Sequence, residues 1–72
     1  MEFDFSKLRG LIKEKFGSDA KFAQAMGLSS SGMSGRLNNQ VPWRTEEIPR
    51  ACDLLGIPAE LVAVYFFTQK VR

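Results

Sequence analysis

The sequence predicts an all-α fold of five short helices joined by tight turns. Apolar residues recur at steps of three and four, which is the period of a helix that buries one face. Glycines follow three of these segments, at Gly17, Gly27 and Gly56, where each can end a helix in the left-handed conformation. No alternating strand pattern is visible outside 64–71, where helix and strand both stay open.

The first three helices are bounded by residues that suit helix ends. Asp4 is predicted to cap the first helix, and Ser18 and Ser29 the second and third, because their side-chain oxygens can accept a free N–H of the first turn. Asn39 suits a left-handed position at the end of the third helix. The expected bounds are 4–16, 19–26 and 30 to about 37.

The fourth and fifth helices are predicted at 46–55 and 59–66. Thr45 can cap the fourth helix. Pro49 lacks a backbone N–H and its ring crowds the preceding turn, so this helix begins later or bends. Pro58 suits the start of the fifth helix.

Length and composition restrict the function classes. The 72 residues predict one domain, 1–67, followed by a polar tail, 68–72. Cys52 is the single cysteine, which excludes an intrachain disulfide, and no leader or membrane span is visible, so we expect a cytoplasmic protein. The sequence has no histidine, the commonest general base and metal ligand. We therefore expect no enzyme, no metal, no cofactor and no small-molecule substrate.

Charge is distributed unevenly along a chain whose net charge is +2. The stretch 17–44 has three basic residues and one acidic residue, whereas 45–67 has one basic and four acidic residues. This pattern suits a protein that presents one face to an anion, but scattered solvated charges would give the same counts.

Two short helices around Gly27 have the spacing of a helix-turn-helix unit. Ala23 lies four residues before this glycine and allows close helix contact, while Met33 and Leu37 lie six and ten residues after it. These apolar side chains would hold the third helix across the second, leaving the opposite side of the third helix exposed.

At this point the sequence resembles the lambda-repressor/Cro family. The run SDAKFAQAMGLSSSGMSGRLNN is similar to the helix-turn-helix of that family, and TEEIPRACDLLGIPAELV is similar to its fourth and fifth helices. The ending YFFTQKV resembles small Cro-like phage proteins. The resemblance implies a sequence-specific transcriptional repressor that places its third helix in the major groove of a pseudo-palindromic operator.

The same resemblance implies which residues would contact double-stranded DNA. Base-reading positions of the third helix would be Ser29, Ser30, Ser31, Ser34 and Gly35. Phosphate contacts would come from Ser18, Lys21, Asn38, Gln40 and Arg44, with Arg36 on phosphates or bases. Two alternatives stay open: the serines serve only as caps and solvated surface, and Arg36 forms a salt bridge with Asp19 or a glutamate. Asp19 also departs from the family, which often has a phosphate-binding glutamine there.

The C-terminal segment is too apolar for one helix of a small monomer, because a helix that is hydrophobic on most sides is buried on most sides. We therefore expect a homodimer through this segment. The expected interface residues are Leu61, Val64, Tyr65, Phe66 and Phe67. Trp43 is expected to pack under its loop.

A second function stays open beside the DNA-binding repressor. Only short side chains occupy the base-reading positions, the net charge is weakly basic, and Asp19 would repel a phosphate. These features favour a protein-interaction module with a helix-turn-helix fold, such as an antirepressor or adaptor.

Overall fold

Five helices surround one apolar core in the computed structural model, which describes residues 2–71. The helices are α1 (Ser6–Phe16), α2 (Asp19–Met26), α3 (Ser30–Leu37), α4 (Glu47–Leu55) and α5 (Val62–Phe66), with a 3₁₀ turn, Ala59–Leu61, leading directly into α5. The predicted all-α class is confirmed. Over residues 2–71, no helix has both the length and the hydropathy that a bilayer crossing requires.

The predicted ends of α2 and α3 are confirmed by the caps. The Ser18 Oγ accepts the Lys21 N–H at 3.2 Å, and the Ser29 Oγ accepts the Gly32 N–H at 3.0 Å. Asn39 has a φ of 62°, in the left-handed region where asparagine is tolerated better than most residues. Local chemistry therefore sets the bounds of the helix-turn-helix unit.

Two other predicted caps differ from the structure. α1 begins at Ser6, and the Oδ1 of Asp4, two residues earlier, accepts the Ser6 N–H at 2.9 Å. Hydrogen bonding by the Ser6 side chain, and then by this N–H, lowers the pKa of Asp4. Thr45 does not cap α4, which begins at Glu47. Pro49 is then the third residue of α4, where a missing N–H breaks no intrahelical bond.

The core brings together side chains from every helix. Its buried apolar residues are Phe5, Leu8, Ile12, Phe22, Ala23, Met26, Met33, Leu37, Ala51, Cys52, Leu55, Ile57 and Phe66. The turn between α2 and α3 is closed by a hydrogen bond of 2.8 Å from the Leu28 N–H to the Ala23 carbonyl. Arg50 of α4 stabilises the turn between α2 and α3, because its Nη1 donates to the Met26 carbonyl at 2.9 Å. This packing leaves one side of α3 exposed.

The two ends of the described chain pair with each other, so residues 68–70 of the predicted polar tail are held by the backbone of the N-terminal segment, and residue 72 lies outside the described residues. Phe3 and Gln69 form an isolated antiparallel bridge. The Asp4 N–H donates to the Thr68 carbonyl at 2.7 Å, and flanking backbone bonds continue to residue 70. The ambiguity over 64–71 is thereby resolved, because the chain is helical to Phe66 and then extended enough to pair.

Candidate functional site

The residues that the resemblance placed on DNA divide into exposed and buried groups. The exposed ones are Lys21, Ser29, Ser30, Ser31, Ser34, Asn38, Gln40 and Arg44, and Ser18 is half-buried. Gly35 and Arg36 are buried. Their predicted outward placement is therefore wrong, and α3 presents a face of small hydroxyl groups.

Arg36 is held inside the protein by Glu47, the first residue of α4. Its Nε and Nη2 donate to the two carboxylate oxygens of Glu47, each at 2.8 Å, and its Nη1 donates to the Gly32 carbonyl at 3.0 Å. Both side chains are about one-tenth exposed. The salt bridge to a glutamate that the sequence left open is confirmed, and it leaves this guanidinium no role at the surface.

The two partners reinforce each other's charged state. Hydrogen bonding from Arg36 lowers the pKa of Glu47 against the opposing effect of burial, and the Arg44 N–H, at 3.0 Å from Oε1, lowers it further. Hydrogen bonding to Glu47 raises the pKa of Arg36. The Glu47 carboxylate therefore organises α3, the 40–46 loop and the start of α4 at once.

Gly35 is required by the loop that follows α3. The Gln40 and Val41 N–H groups both donate to the Gly35 carbonyl, at 2.8 and 3.1 Å. A Cβ on Gly35 would lie 3.0 Å from the Cγ2 of Val41. The glycine thus lets the loop fold back onto α3, which explains it without an approach of backbone to DNA.

A matched pair of glycine substitutions tests this explanation. Gly10→Ala in α1 meets no atom within 4 Å, so we expect the free energy of unfolding to rise by about 0.5–1 kcal/mol from the better helix propensity. Gly35→Ala should give no such gain, because Val41 must move to admit the new methyl group. Urea unfolding of both variants measures the difference. An equal gain in both would show that the loop does not depend on Gly35.

The start of α2 has an acidic group held by an arginine. The Arg9 Nη1 lies 3.2 Å from the Asp19 Oδ2, and the Arg9 Nη2 donates to the Asn38 Oδ1 at 3.0 Å. Arg44 is likewise paired, with its Nε 3.0 Å from the Glu46 Oε1. Acids therefore accompany Arg9, Arg36 and Arg44, an arrangement that weakens attraction to a phosphate backbone.

A row of five aromatic rings lies beside the loop after α3. Phe67 packs edge-on against Phe3 at 5.7 Å between ring centroids, and Phe3 lies 6.2 Å from Phe5. Trp43 continues the row, 6.4 Å from Phe5 and 5.1 Å from Phe66. The predicted packing role of Trp43 is confirmed. Both ends of the chain and the loop supply this row, which we call the aromatic row.

The aromatic row lines an open cleft of about 240 Å³, the aromatic cleft. Its other walls are Val41, Pro42, Ile48, Arg36 and Asn39. Arg36 donates to Glu47 and Gly32, and Asn39 is paired with Phe3, so the surface that the cleft offers is mainly apolar. The buried Trp43 Nε1 has no hydrogen-bond partner within the described chain.

Exposed apolar side chains stand at the mouth of the aromatic cleft. Phe67 is 48% exposed and Val41 is 39% exposed. Large side chains of this kind, next to a concave apolar surface, mark interaction sites more often than scattered single ones do. The cleft is therefore the strongest candidate for a binding surface on the part of the chain that the structure describes.

The predicted dimer segment is partly in the core. Phe66 is 1% exposed and packs against Trp43, so its assignment to an intersubunit surface is wrong. Leu61 and Phe67 are exposed, and Val64 and Tyr65 are half-buried. The argument from an unburied apolar helix loses its strength because Trp43 packs on Phe66 and the N-terminal Phe3 packs on Phe67. A homodimer through the remaining four residues stays a prediction.

Sequence reasoning missed Phe3, Phe5 and Val41 as members of a site. The sequence signal that could have revealed this site is the concentration of phenylalanines at the two chain ends, in FDF near the start and YFF near the end. The second pair, Phe66 and Phe67, was assigned to a dimer contact, and the first was given no role in a site. The contact between them depends on the closing of the chain ends, which local patterns do not encode.

The fold and this cleft define a small helical protein with a helix-turn-helix arrangement and an apolar cleft as its candidate binding surface. The chain belongs to the family described as a protein of unknown function, DUF739, whose model matches residues 1–69. No curated protein sequence matches it. Among solved structures, it is similar to the modulator of repression (MOR) of the temperate bacteriophage TP901-1 from Lactococcus lactis. The two are 42% identical, with a TM-score of 0.82, over 100% of this chain and 97% of the other.

This similarity corrects the functional prediction from sequence. A sequence-specific, Cro-like operator-binding repressor was the main expectation, whereas the similar solved protein is a modulator of repression and the matching family is described only as of unknown function. The main expectation is therefore wrong, and the alternative, a protein-interaction module, is favoured. The predicted kinship with lambda-repressor and Cro proteins stays a prediction.

Proposed function

We propose that this chain is a phage regulatory protein of the modulator-of-repression type, which acts by binding a repressor protein. The similarity of the entire chain to the MOR protein supports the class of partner. The aromatic cleft supports the mode of binding, by apolar contact. This role requires no catalysed reaction on the partner. It would be carried out in the cytoplasm, where a repressor binds DNA.

The observation that carries the proposal is an apolar cleft bounded by exposed aromatic and aliphatic side chains. Aromatic anchors seated in desolvated pockets supply most of the energy of protein–protein interfaces. Pockets for drug-sized ligands usually measure roughly 300–1,000 Å³, and this cleft is smaller, at about 240 Å³. Its size suits one or two apolar side chains of a protein partner.

The α3 surface supports the same proposal by what it offers a partner. Exposed serines can form hydrogen bonds, but Arg36, the arginine of this helix, is held in a buried ion pair with Glu47. Specific reading of bases relies mainly on bidentate arginine, asparagine or glutamine contacts, together with phosphate neutralisation by cations. A small polar face beside an apolar cleft is instead the usual arrangement of a protein interface, with its polar rim and apolar centre.

Binding of this kind can modulate repression through mass action. A protein that binds the repressor in competition with DNA lowers the occupancy of the operator by an amount set by its concentration and affinity. The apolar cleft gives such a modulator affinity that depends little on salt, because few charges are neutralised in the contact. Competition would then persist at ionic strengths at which DNA binding weakens.

The binding proposal is tested by truncating one exposed ring at the cleft. Phe67→Ala removes the most exposed ring of the aromatic row, so we expect affinity for the repressor encoded in the same phage or prophage genome to fall about 30-fold, or roughly 2 kcal/mol. Isothermal titration calorimetry measures the loss. Leu54→Ala is the matched control, because Leu54 is 38% exposed on α4 and does not line the cleft. Equal affinities for Phe67→Ala and Leu54→Ala would contradict the assignment of the cleft.

A further inference from the structure

Asn39 holds the N-terminal segment through its side chain. Its Oδ1 accepts the Phe3 N–H at 2.9 Å, and its Nδ2 donates to the Phe3 carbonyl at 2.9 Å. A primary amide offers the same donor and acceptor as a peptide group. The side chain thus pairs with Phe3 as a neighbouring strand would.

The opposite edge of the N-terminal segment is also paired. The Asp4 N–H donates to the Thr68 carbonyl, and the Lys70 N–H donates to the Glu2 carbonyl at 3.1 Å. These bonds flank the bridge between Phe3 and Gln69, so the N–H and carbonyl of Phe3 itself point the other way, toward Asn39. Residues 2–4 are therefore held between one side chain and one backbone segment.

The position admits few other residues. With a φ of 62°, the backbone at residue 39 favours glycine, asparagine or aspartate. Glycine lacks the amide, and an ionised aspartate has no donor for the Phe3 carbonyl. Asparagine alone among the three satisfies both the backbone conformation and the two hydrogen bonds.

We propose that Asn39 is a positioning residue of the aromatic cleft, because its amide fixes Phe3 as one wall of that cleft. Within the aromatic cleft, Phe3 lies between Phe67 and Phe5, with ring centroids 5.7 and 6.2 Å away. Release of Phe3 would change the shape of the cleft while leaving the helical core in place. This inference rests on the proposed function for its consequence in binding, but its structural part is testable without a partner.

The test compares Asn39→Gly with the full-length wild-type chain. Glycine keeps the left-handed backbone and removes both hydrogen bonds to Phe3. We expect native-state amide exchange at Phe3, Asp4 and Lys70 to accelerate about tenfold or more, while exchange in α1 and α2 stays unchanged. The fluorescence of Trp43, the single tryptophan, should change as the row loosens.

Asn38→Gly is the control, since Asn38 contacts Arg9 and Ser34 but not the N-terminal segment. Unchanged exchange at Phe3 in Asn39→Gly, or equal acceleration in Asn38→Gly, would overturn the inference. Affinity for the repressor gives the second readout, and we expect a several-fold loss in Asn39→Gly. Accelerated exchange with undiminished affinity would overturn the positioning role and leave the proposed function standing. A wild-type chain that binds no repressor would overturn the proposed function and, with it, the role of Asn39 in binding.

Discussion

Glu47→Ala is expected to lower the free energy of unfolding by about 3–5 kcal/mol, because it leaves the Arg36 guanidinium buried without its partner. The free energy of unfolding of a small domain is only about 5–15 kcal/mol, so much of the variant protein would be unfolded at 37 °C. The loss should be larger than that from a surface pair such as Arg44 and Glu46, which is worth at most about 1 kcal/mol. Urea denaturation followed by circular dichroism measures both.

A double variant separates the cost of an orphaned charge from the value of the ion pair. Arg36→Met with Glu47→Leu removes both charges and keeps apolar volume, so we expect stability close to that of the wild type. A double variant as unstable as Glu47→Ala would contradict this explanation. It would then be the pair itself, rather than the burial of one charge, that stabilises the fold.

The same pair predicts sensitivity to acid. Because the pKa of Glu47 is lower in the folded protein than in the unfolded chain, its stabilising contribution is complete above the unfolded value, about 4.3, and is lost as the pH falls through the folded value. Unfolding measured from pH 7 down to pH 2 should therefore show a steeper loss in the wild type than in the double variant. Parallel curves would show that Glu47 does not drive acid unfolding.

Phe66→Ala is expected to lower the free energy of unfolding by about 3–5 kcal/mol, because the ring is 1% exposed and fills the core under Trp43. The loss should not depend on protein concentration, since the cavity forms within one chain. Phe67→Ala, next to it, should cost less than half as much, because that ring is 48% exposed.

Thermal unfolding of these two variants at several protein concentrations discriminates the core from a dimer interface. A melting temperature that rises with concentration in the wild type but not in Phe66→Ala would place Phe66 between subunits, against the structure. Equal losses for Phe66→Ala and Phe67→Ala would show that the exposed ring is as deeply packed as its neighbour.

The helix bounds were predictable wherever one local interaction decides them. Ser18 and Ser29 each accept a backbone N–H three residues later, and Asn39 adopts a left-handed backbone conformation that its residue type favours, so local sequence contains what decides these bounds. The start of α4 was missed by one residue because Arg36, eleven positions earlier, decides what Glu47 does. Thr45 is a residue type that often caps helices, but the ion pair between Arg36 and Glu47, which local patterns do not contain, sets the start of α4 instead.

The candidate site was less predictable than the fold because it forms from distant parts of the chain. Trp43 was correctly expected to pack, but its neighbours, Phe5 and Phe66, come from opposite ends. Phe66 and Phe67 were assigned together to a second subunit because nothing in the sequence shows that Trp43 packs on Phe66 and Phe3 on Phe67.

The surface residues, rather than the arrangement of helices, decide which function is favoured. A helix-turn-helix arrangement supports both DNA binding and protein binding, and the residues on its exterior decide between them. The short serines on α3 were a visible sign against base reading, whereas the loss of Arg36 to Glu47 required the folded structure. Resemblance to repressors gave the right fold class and a functional prediction that the similarity to a modulator of repression overturns.

The most direct test of the central claim is a titration of the ¹⁵N-labelled chain with the purified full-length repressor from the same phage or prophage, followed by NMR. Repressor binding through the aromatic cleft predicts the largest shifts at the amides of Phe3, Val41 and Phe67 and at the Trp43 indole N–H. Shifts confined to Ser30, Ser31 and Ser34, with the cleft signals unchanged, would contradict it.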